Sequence, residues 1–198
     1  MSLQNFIKVF DLYLKYGDNG YIGEEITQLE HATQAAFQAE EYCDTNKIKG
    51  KIRNDLILGA LLHDIGHLIV FENKSLETMG DYGVMNHENI GAKYLGNYGF
   101  NDNICEFVSY HIRTKRYLIT KNPEYYNKLS GASKKTFEYQ GGKLSEKEME
   151  DFENNPLFQF HLKIREFDDK AKSTEPKLLE KIKKLDHIEY YGKFIVNL

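Results

Sequence analysis

The chain has no tryptophan, only three prolines and only two cysteines in 198 residues. Cys43 and Cys105 fall on segments that read as separate helices, so a reducing, cytoplasmic setting is expected rather than a disulfide framework. No apolar stretch is long enough to span a bilayer. The first amphipathic pattern carries Lys8, Asp11 and Lys15, which does not suit the uncharged core of a signal peptide. A dominant charge sign is missing too. The net charge is −4 and the basic residues are scattered, leaving no footprint for a nucleic acid or an anionic membrane. Internal repeats, hairpin signals and strand-like alternation are also lacking. The remaining profile, 41% hydrophobic and 28% charged, is that of an ordinary globular protein able to bury a core. The simplest organisation is one domain over residues 1–198.

One stretch stands out. From Asn54 to Ile69 the positions Leu56, Ile57, Leu58, Ala60, Leu61, Leu62, Ile65, Leu68 and Ile69 leave almost no polar face, so a helix here belongs inside the protein, with Asn54 as its cap. Into this run the sequence inserts His63, Asp64 and His67. An unsatisfied buried polar group costs roughly 1–3 kcal/mol, and a charge costs more, so these groups need partners. Hydrogen bonds would serve for a lone histidine, whereas a metal ion satisfies several such groups together. In a continuous helix His63 and His67 share a face, with Asp64 about 100° round from His63.

The other segments supply more of the same chemistry. An amphipathic helix is expected over residues 4–16, ended by Gly17 to Gly20. Residues 21–26 read as a loop. Thr27 and Glu30 form a capping box that opens a helix running to about Asp44, with His31 in its first turns. Residues 72–85 are rich in Asn, Ser, Gly and Asp and read as a loop placed to cover a pocket. Helices follow from Asn86-His87 to Gly99 and from Asp102 past His111. Residues 113–143 are polar and suit short helices on a rim, and a second capping box, Ser145 with Glu148, opens a charged, solvated helix. Pro156 fits the first turn of a helix carrying His161, Arg165 and Asp168 on one face. A last helix follows Pro176, with a tail holding Tyr190, Tyr191, Phe194 and Ile195, and His187 is expected at the surface. The fold class is therefore all-α, a helical bundle.

Collected from these helices, His31, His63, Asp64, His87, His111 and Asp168 are too many ligands for one ion with an open position, and they suit two. Imidazole and carboxylate without thiolate favour iron, manganese, zinc, cobalt or nickel. Asp64 is the natural bridge, because one carboxylate can serve two ions ~3.5–4 Å apart.

The order His31, His63-Asp64, His87, His111, Asp168 resembles the HD-domain superfamily of metal-dependent phosphohydrolases, over residues 21 to 168. A narrower resemblance lies in Tyr21-Ile-Gly-Glu24, followed by Thr27, Gln28 and His31. This segment is similar to the entry of the HD-domain mixed-valent di-iron oxygenases, which cleave the carbon–phosphorus bond of 2-amino-1-hydroxyethylphosphonate-type substrates with O2 and release phosphate. Myo-inositol oxygenase is a more distant relative with the same core.

The oxygenase resemblance implies an HD-domain bundle with a buried dinuclear site holding two iron ions, Fe(II)/Fe(III), although other divalent metals can occupy such ligands on purification. One ion would take His31, His63, Asp64 and Asp168, the other Asp64, His87 and His111. It also implies that Tyr21 sits over the metals until substrate arrives, that Glu24 meets the substrate's amino group, and that His67 joins the catalytic and substrate contacts. Lys115, Ser133 and Arg165 would hold the phosphonate, for which charged and hydroxyl donors are suited. Bland readings compete for several of these residues. Lys115 also fits an exposed basic run, Tyr21 and Glu24 fit an ordinary loop, and Glu25, Glu88 and Asp169 are read as surface neighbours of the site. His161 has no role assigned beyond support.

The partners expected are a small phosphonate and O2, without nucleic acid or membrane, and the oligomeric state is not readable. The alternative enzyme is an HD phosphohydrolase acting on a phosphomonoester or nucleotide through a metal-bound water. A third reading, from another class, is a ligand-binding HD protein that keeps its metals without turnover.

Overall fold

Leu56, Ile57, Leu58, Leu61 and Leu62 are wholly buried, and the rest of the chain is arranged around the helix that carries them. The computed structural model describes residues 2–196. Twelve α-helices are seen among them, with one 3-10 turn and two isolated β-bridges in place of any strand. Helix α3 (Lys51–Leu62) packs against α2 (Gln28–Thr45) and α6 (Asp102–Lys121), while α10 (Phe158–Lys170) closes the group against α2, α3 and α6. Helix α5 (His87–Asn97) lies on α6, and α1 (Leu3–Tyr16) and α12 (His187–Val196) pack together beside this core. Short helices α7 (Pro123–Lys128), α8 (Gly131–Tyr139), α9 (Glu146–Glu153) and α11 (Pro176–Lys183) complete the all-α bundle. Both cysteines are free, and no helix among the described residues is long and apolar enough to cross a membrane.

Local sequence explains most helix starts. Thr27 and Ser145 each make the reciprocal capping box expected of them. Several expectations need correcting. The apolar run is not one helix: α3 ends at Leu62, a tight turn spans His63 to Ile65, and a single helical turn, α4 (Gly66–Ile69), follows. In that turn the backbone bonds run three residues back, from Ile65 N to Leu62 O and from His67 N to Asp64 O. At three residues per turn His67 falls about 120° from His63, instead of about 40° in a continuous α-helix, so the two no longer share a face. The bend lets α4 approach α5 closely, because Gly66 has no side chain: a Cβ there would lie 2.0 Å from the His87 carbonyl oxygen.

Asn54 is not a cap. The helix starts at Lys51 after Gly50, and the Asn54 amide donates to the Phe194 carbonyl at 3.2 Å. The polar segment beginning at residue 113 is at first helical, since α6 runs unbroken for twenty residues and leaves His111 mid-helix. Helix α10 begins at Phe158, two residues after Pro156. The C-terminal tail is itself a helix, α12, with Tyr191, Phe194 and Ile195 in the core. His187 is buried, stacked on Phe10 at 5.8 Å, rather than exposed.

Candidate metal centre

Helices α2, α5, α6 and α10 and the turn after α3 deliver His31, His87, His111, Asp168 and His63-Asp64 to one buried point. Each histidine ring is oriented by its own backbone contact. His63, His87 and His111 set Nδ1 against the carbonyls of Ala60, Val84 and Val108, each three residues earlier, and His31 sets Nδ1 against Ala171 O at 2.9 Å. A carbonyl only accepts, so every Nδ1 carries a proton, and Nε2 is the atom each ring can offer a metal in its neutral form.

Those Nε2 atoms converge in two sets. His31 Nε2 and His63 Nε2 are 3.1 Å apart, with Asp64 Oδ2 at 3.5 and 3.4 Å and Asp168 Oδ1 at 3.5 and 3.8 Å. His87 Nε2 and His111 Nε2 are also 3.1 Å apart, and Asp64 Oδ1 lies 3.4 and 3.3 Å from them. With both rings neutral, two Nε2 atoms facing each other cannot hydrogen-bond. Their separation does match two adjacent ligands on one ion with metal–nitrogen bonds of ~2.1 Å. The residues present therefore fit two cations, with the two oxygens of Asp64 divided between them.

His67 belongs to a different role. It is stacked on His87 with ring centroids 3.8 Å apart, and its Nδ1 accepts the Val84 N–H at 3.0 Å. Its Nε2 consequently bears the proton and serves as a donor to the adjoining cavity. Burial, and then the neighbouring His87, hold its pKa well below the usual imidazole value.

The cavity beside the ligands is narrow, about 50 Å³, and Tyr21, Lys115, Ser133, Arg165 and Lys172 are among its lining residues. The loop of residues 72–85 does cover it, through Met79 and Tyr82. Tyr21 stacks on His31 at 3.8 Å, and its buried hydroxyl feels the negative charge of the Asp64 carboxylate. Burial, reinforced by the negative charge of Asp64, keeps that phenol protonated well past its ordinary range. Lys115 is buried, not part of an exposed basic patch, and its Nζ donates to Thr136 Oγ1 at 3.1 Å and weakly to Ser133 O at 3.4 Å. Removal from water, then the nearby Arg165, pulls Lys115 down to about 7.

Arg165 is more heavily committed than its spacing from Asp168 suggested. Its Nη1 contacts Asp168 Oδ2 at 2.7 Å, its Nη2 pairs with Asp169, and its Nε donates to Tyr125 Oη at 2.9 Å. Tyr125 in turn donates to Asp169 at 2.6 Å. Burial works against the Arg165 charge, but Asp168 and Asp169 hold it protonated. Asp169, read as a bystander, is thus a structural partner of Arg165. His161 is paired with Glu106, 3.1 Å from its Nε2, and stacks on Tyr110. Glu24 is absent from the cavity lining, and its Oε1 sits 3.1 Å from Lys172 Nζ. Sequence reasoning missed Tyr125 and Lys172. Nothing in their local pattern marks them, because both reach the site only through tertiary contacts.

Comparison with known proteins agrees with this geometry. The HD domain family model matches residues 29–186. An uncharacterised protein, L432, of Acanthamoeba polyphaga mimivirus is 43% identical, covering 99% of this chain and 86% of that protein. A [1-hydroxy-2-(trimethylamino)ethyl]phosphonate dioxygenase (glycine-betaine-forming) of Leisingera caerulea is 36% identical over 84% of this chain and 78% of its own length. A hydroxymethylphosphonate dioxygenase of Gimesia maris is 36% identical over 83% and 76%. The matched length, the all-α bundle and the convergence of six His and Asp side chains at its centre lead to one assignment: this chain belongs to the HD-domain family, with phosphonate dioxygenases among its relatives.

Proposed function

We propose that the protein is a di-iron oxygenase that cleaves the carbon–phosphorus bond of a 1-hydroxyphosphonate, of the 2-amino-1-hydroxyethylphosphonate type or a close variant, with O2. The observation that carries this reading is Tyr21: a phenol stacked on His31, a candidate ligand, lines the same cavity as Asp64, His87, His111 and Asp168. A hydrolase that only positions water has no need of such a residue. Relatives named as dioxygenases of hydroxylated phosphonates support the same choice.

His31, His63, Asp64 and Asp168 would hold one iron, and Asp64, His87 and His111 the other. An Fe(II)/Fe(III) pair would supply O2 activation and a Lewis-acidic seat for the substrate's oxygens. The other tasks fall to the chain. The Lys115 ammonium and the Ser133 hydroxyl bind the phosphonate by charge-assisted and neutral hydrogen bonds. Arg165 adds positive charge at that end while holding Asp168 in place. His67 offers its Nε2 proton to a substrate oxygen. Tyr21, stacked on His31 in the cavity wall, would move aside when substrate enters. Glu24, just outside the cavity lining, would lie toward the substituent on the hydroxyl-bearing carbon. In the overall balance that carbon is oxidised from the alcohol to the carboxylic acid level, the carbon–phosphorus bond breaks, and both atoms of O2 end in the acid and the phosphate.

The test is O2 uptake and phosphate release by anaerobically purified, iron-reconstituted protein given 2-amino-1-hydroxyethylphosphonate or hydroxymethylphosphonate, with p-nitrophenyl phosphate alongside. Uptake of O2 matched to phosphate release is expected. Ester hydrolysis without O2 uptake would instead make the protein an HD phosphohydrolase.

A further inference from the structure

Glu24, the acidic residue that the oxygenase reading sets near the substrate's substituent, lies outside the cavity lining and already has a cation. Its Oε1 lies 3.1 Å from Lys172 Nζ, and both side chains are largely withdrawn from water, at 20% and 17% exposure. Neither partner is held loosely. Lys172 follows Ala171, the buried residue whose carbonyl orients His31, and Ser173 is clamped to α2 by two bonds to the Gln34 amide, at 2.9 and 3.0 Å. Lys172 Nζ also lies 3.5 Å from Ser130 Oγ at the start of α8. On the other side, Glu24 N bonds Tyr21 O. Gly23, at φ +77°, lies so close to α8 that a Cβ there would stand 2.8 Å from Ala132 Cβ. The loop and the Ala171 to Ser173 segment are thus fixed by separate anchors, and the Lys172–Glu24 pair spans them. Of the two residues, only Lys172 lines the cavity.

We propose that Lys172 is the resident counter-cation of Glu24, and that the site therefore takes 1-hydroxyphosphonates whose carbon substituent carries no positive charge. This rests on the oxygenase reading and names its substrate class. A substrate ammonium approaching Glu24 would meet the half-buried Lys172 ammonium first, and would have to displace it. The two ends of the cavity differ in this respect. Lys115 contacts only neutral groups, the Thr136 hydroxyl and the Ser133 carbonyl, so no resident anion pairs with its ammonium, whereas the charge of Glu24 is matched by Lys172. A hydrogen or a small neutral alkyl group suits a narrow, locally neutral end.

The experiment compares kcat/KM, from O2 uptake, for hydroxymethylphosphonate, 1-hydroxyethylphosphonate and 2-amino-1-hydroxyethylphosphonate. It also measures the affinity of each for protein loaded with redox-inactive zinc, by calorimetry. The wild-type protein should favour both neutral compounds over the amine at least tenfold in each measurement. Lys172→Met, which frees Glu24, should shift the ratio at least tenfold toward the amine, while Lys172→Arg should keep the wild-type ratio. Wild-type preference for the amine, or an unchanged ratio in a folded Lys172→Met protein, would overturn the proposal. If Lys172→Met does not fold, the wild-type preference decides. Should no compound provoke O2 uptake, it is the oxygenase reading that fails, and the binding preference in the zinc form still decides the role of Lys172.

Discussion

Asp168 faces two ways: its Oδ1 is turned to His31 and His63, while its Oδ2 lies 2.7 Å from Arg165 Nη1. The arginine is itself oriented by Asp169 and Tyr125, so two residues on α10 and one on α7 fix the orientation of this candidate ligand. Removing the guanidinium leaves two carboxylates without their buried cation, a change that costs roughly 3–5 kcal/mol when one partner of a buried pair is lost. Arg165→Met should therefore lower unfolding stability by about that amount and reduce occupancy of the His31–His63–Asp168 position before that of the His87–His111 position. Denaturant unfolding and metal analysis of the same preparation check both parts.

Asp64 contributes one oxygen to each set of histidines. Asp64→Ala should accordingly lose both ions, not one, since each keeps only imidazoles or imidazoles with a single carboxylate. Asp64→Asn preserves the shape but removes the charge that offsets two cations, and should bind metal less tightly than the wild type. Metal content unchanged in Asp64→Ala would show that the carboxylate does not bridge.

Tyr21 touches the site through ring stacking and one hydroxyl. Tyr21→Phe keeps the first and deletes the second, so both metals should remain bound. The change should instead appear in coupling: O2 uptake without substrate should rise, and phosphate released per O2 consumed should fall below that of the wild type. Parallel oxygen-electrode and phosphate assays measure it.

Much of this site is legible in the chain because its chemistry is out of place. Histidines and aspartates in apolar, helix-forming surroundings such as Leu61-Leu62-His63-Asp64-Ile65 stand out, and capping boxes at Thr27 and Ser145 announce helix starts by local bonds alone. What stays hidden depends on long-range packing. The tight turn at residues 63–65 goes with the close approach of Gly66 to the His87 carbonyl, a long-range contact that no window of the sequence contains. His187 looks like a surface residue until Phe10 and Tyr191 are seen to stack around it. Lys172 lies among Lys170, Ser173 and Lys177, where its neighbours suggest only a solvated stretch, and it enters the site because Ala171 holds His31.

Lys115 gives the site a pH dependence of definite sign. Burial brings its pKa to about 7 in the ligand-free protein, so it is an ammonium below that value and increasingly neutral above it. A phosphonate anion binds the charged form better. Its apparent affinity should be highest at and below neutrality, with KM rising up to tenfold per pH unit above about 7 while kcat changes less. Lys115→Met removes the titrating group. It should raise KM at neutral pH roughly 10- to 100-fold, the loss expected for a charge-assisted hydrogen bond of about 1.5–3 kcal/mol, and flatten the dependence above pH 7. A KM profile of wild type and variant with hydroxymethylphosphonate makes the comparison. If both proteins show the same rise, the titration belongs to another group and Lys115 holds the phosphonate by shape alone.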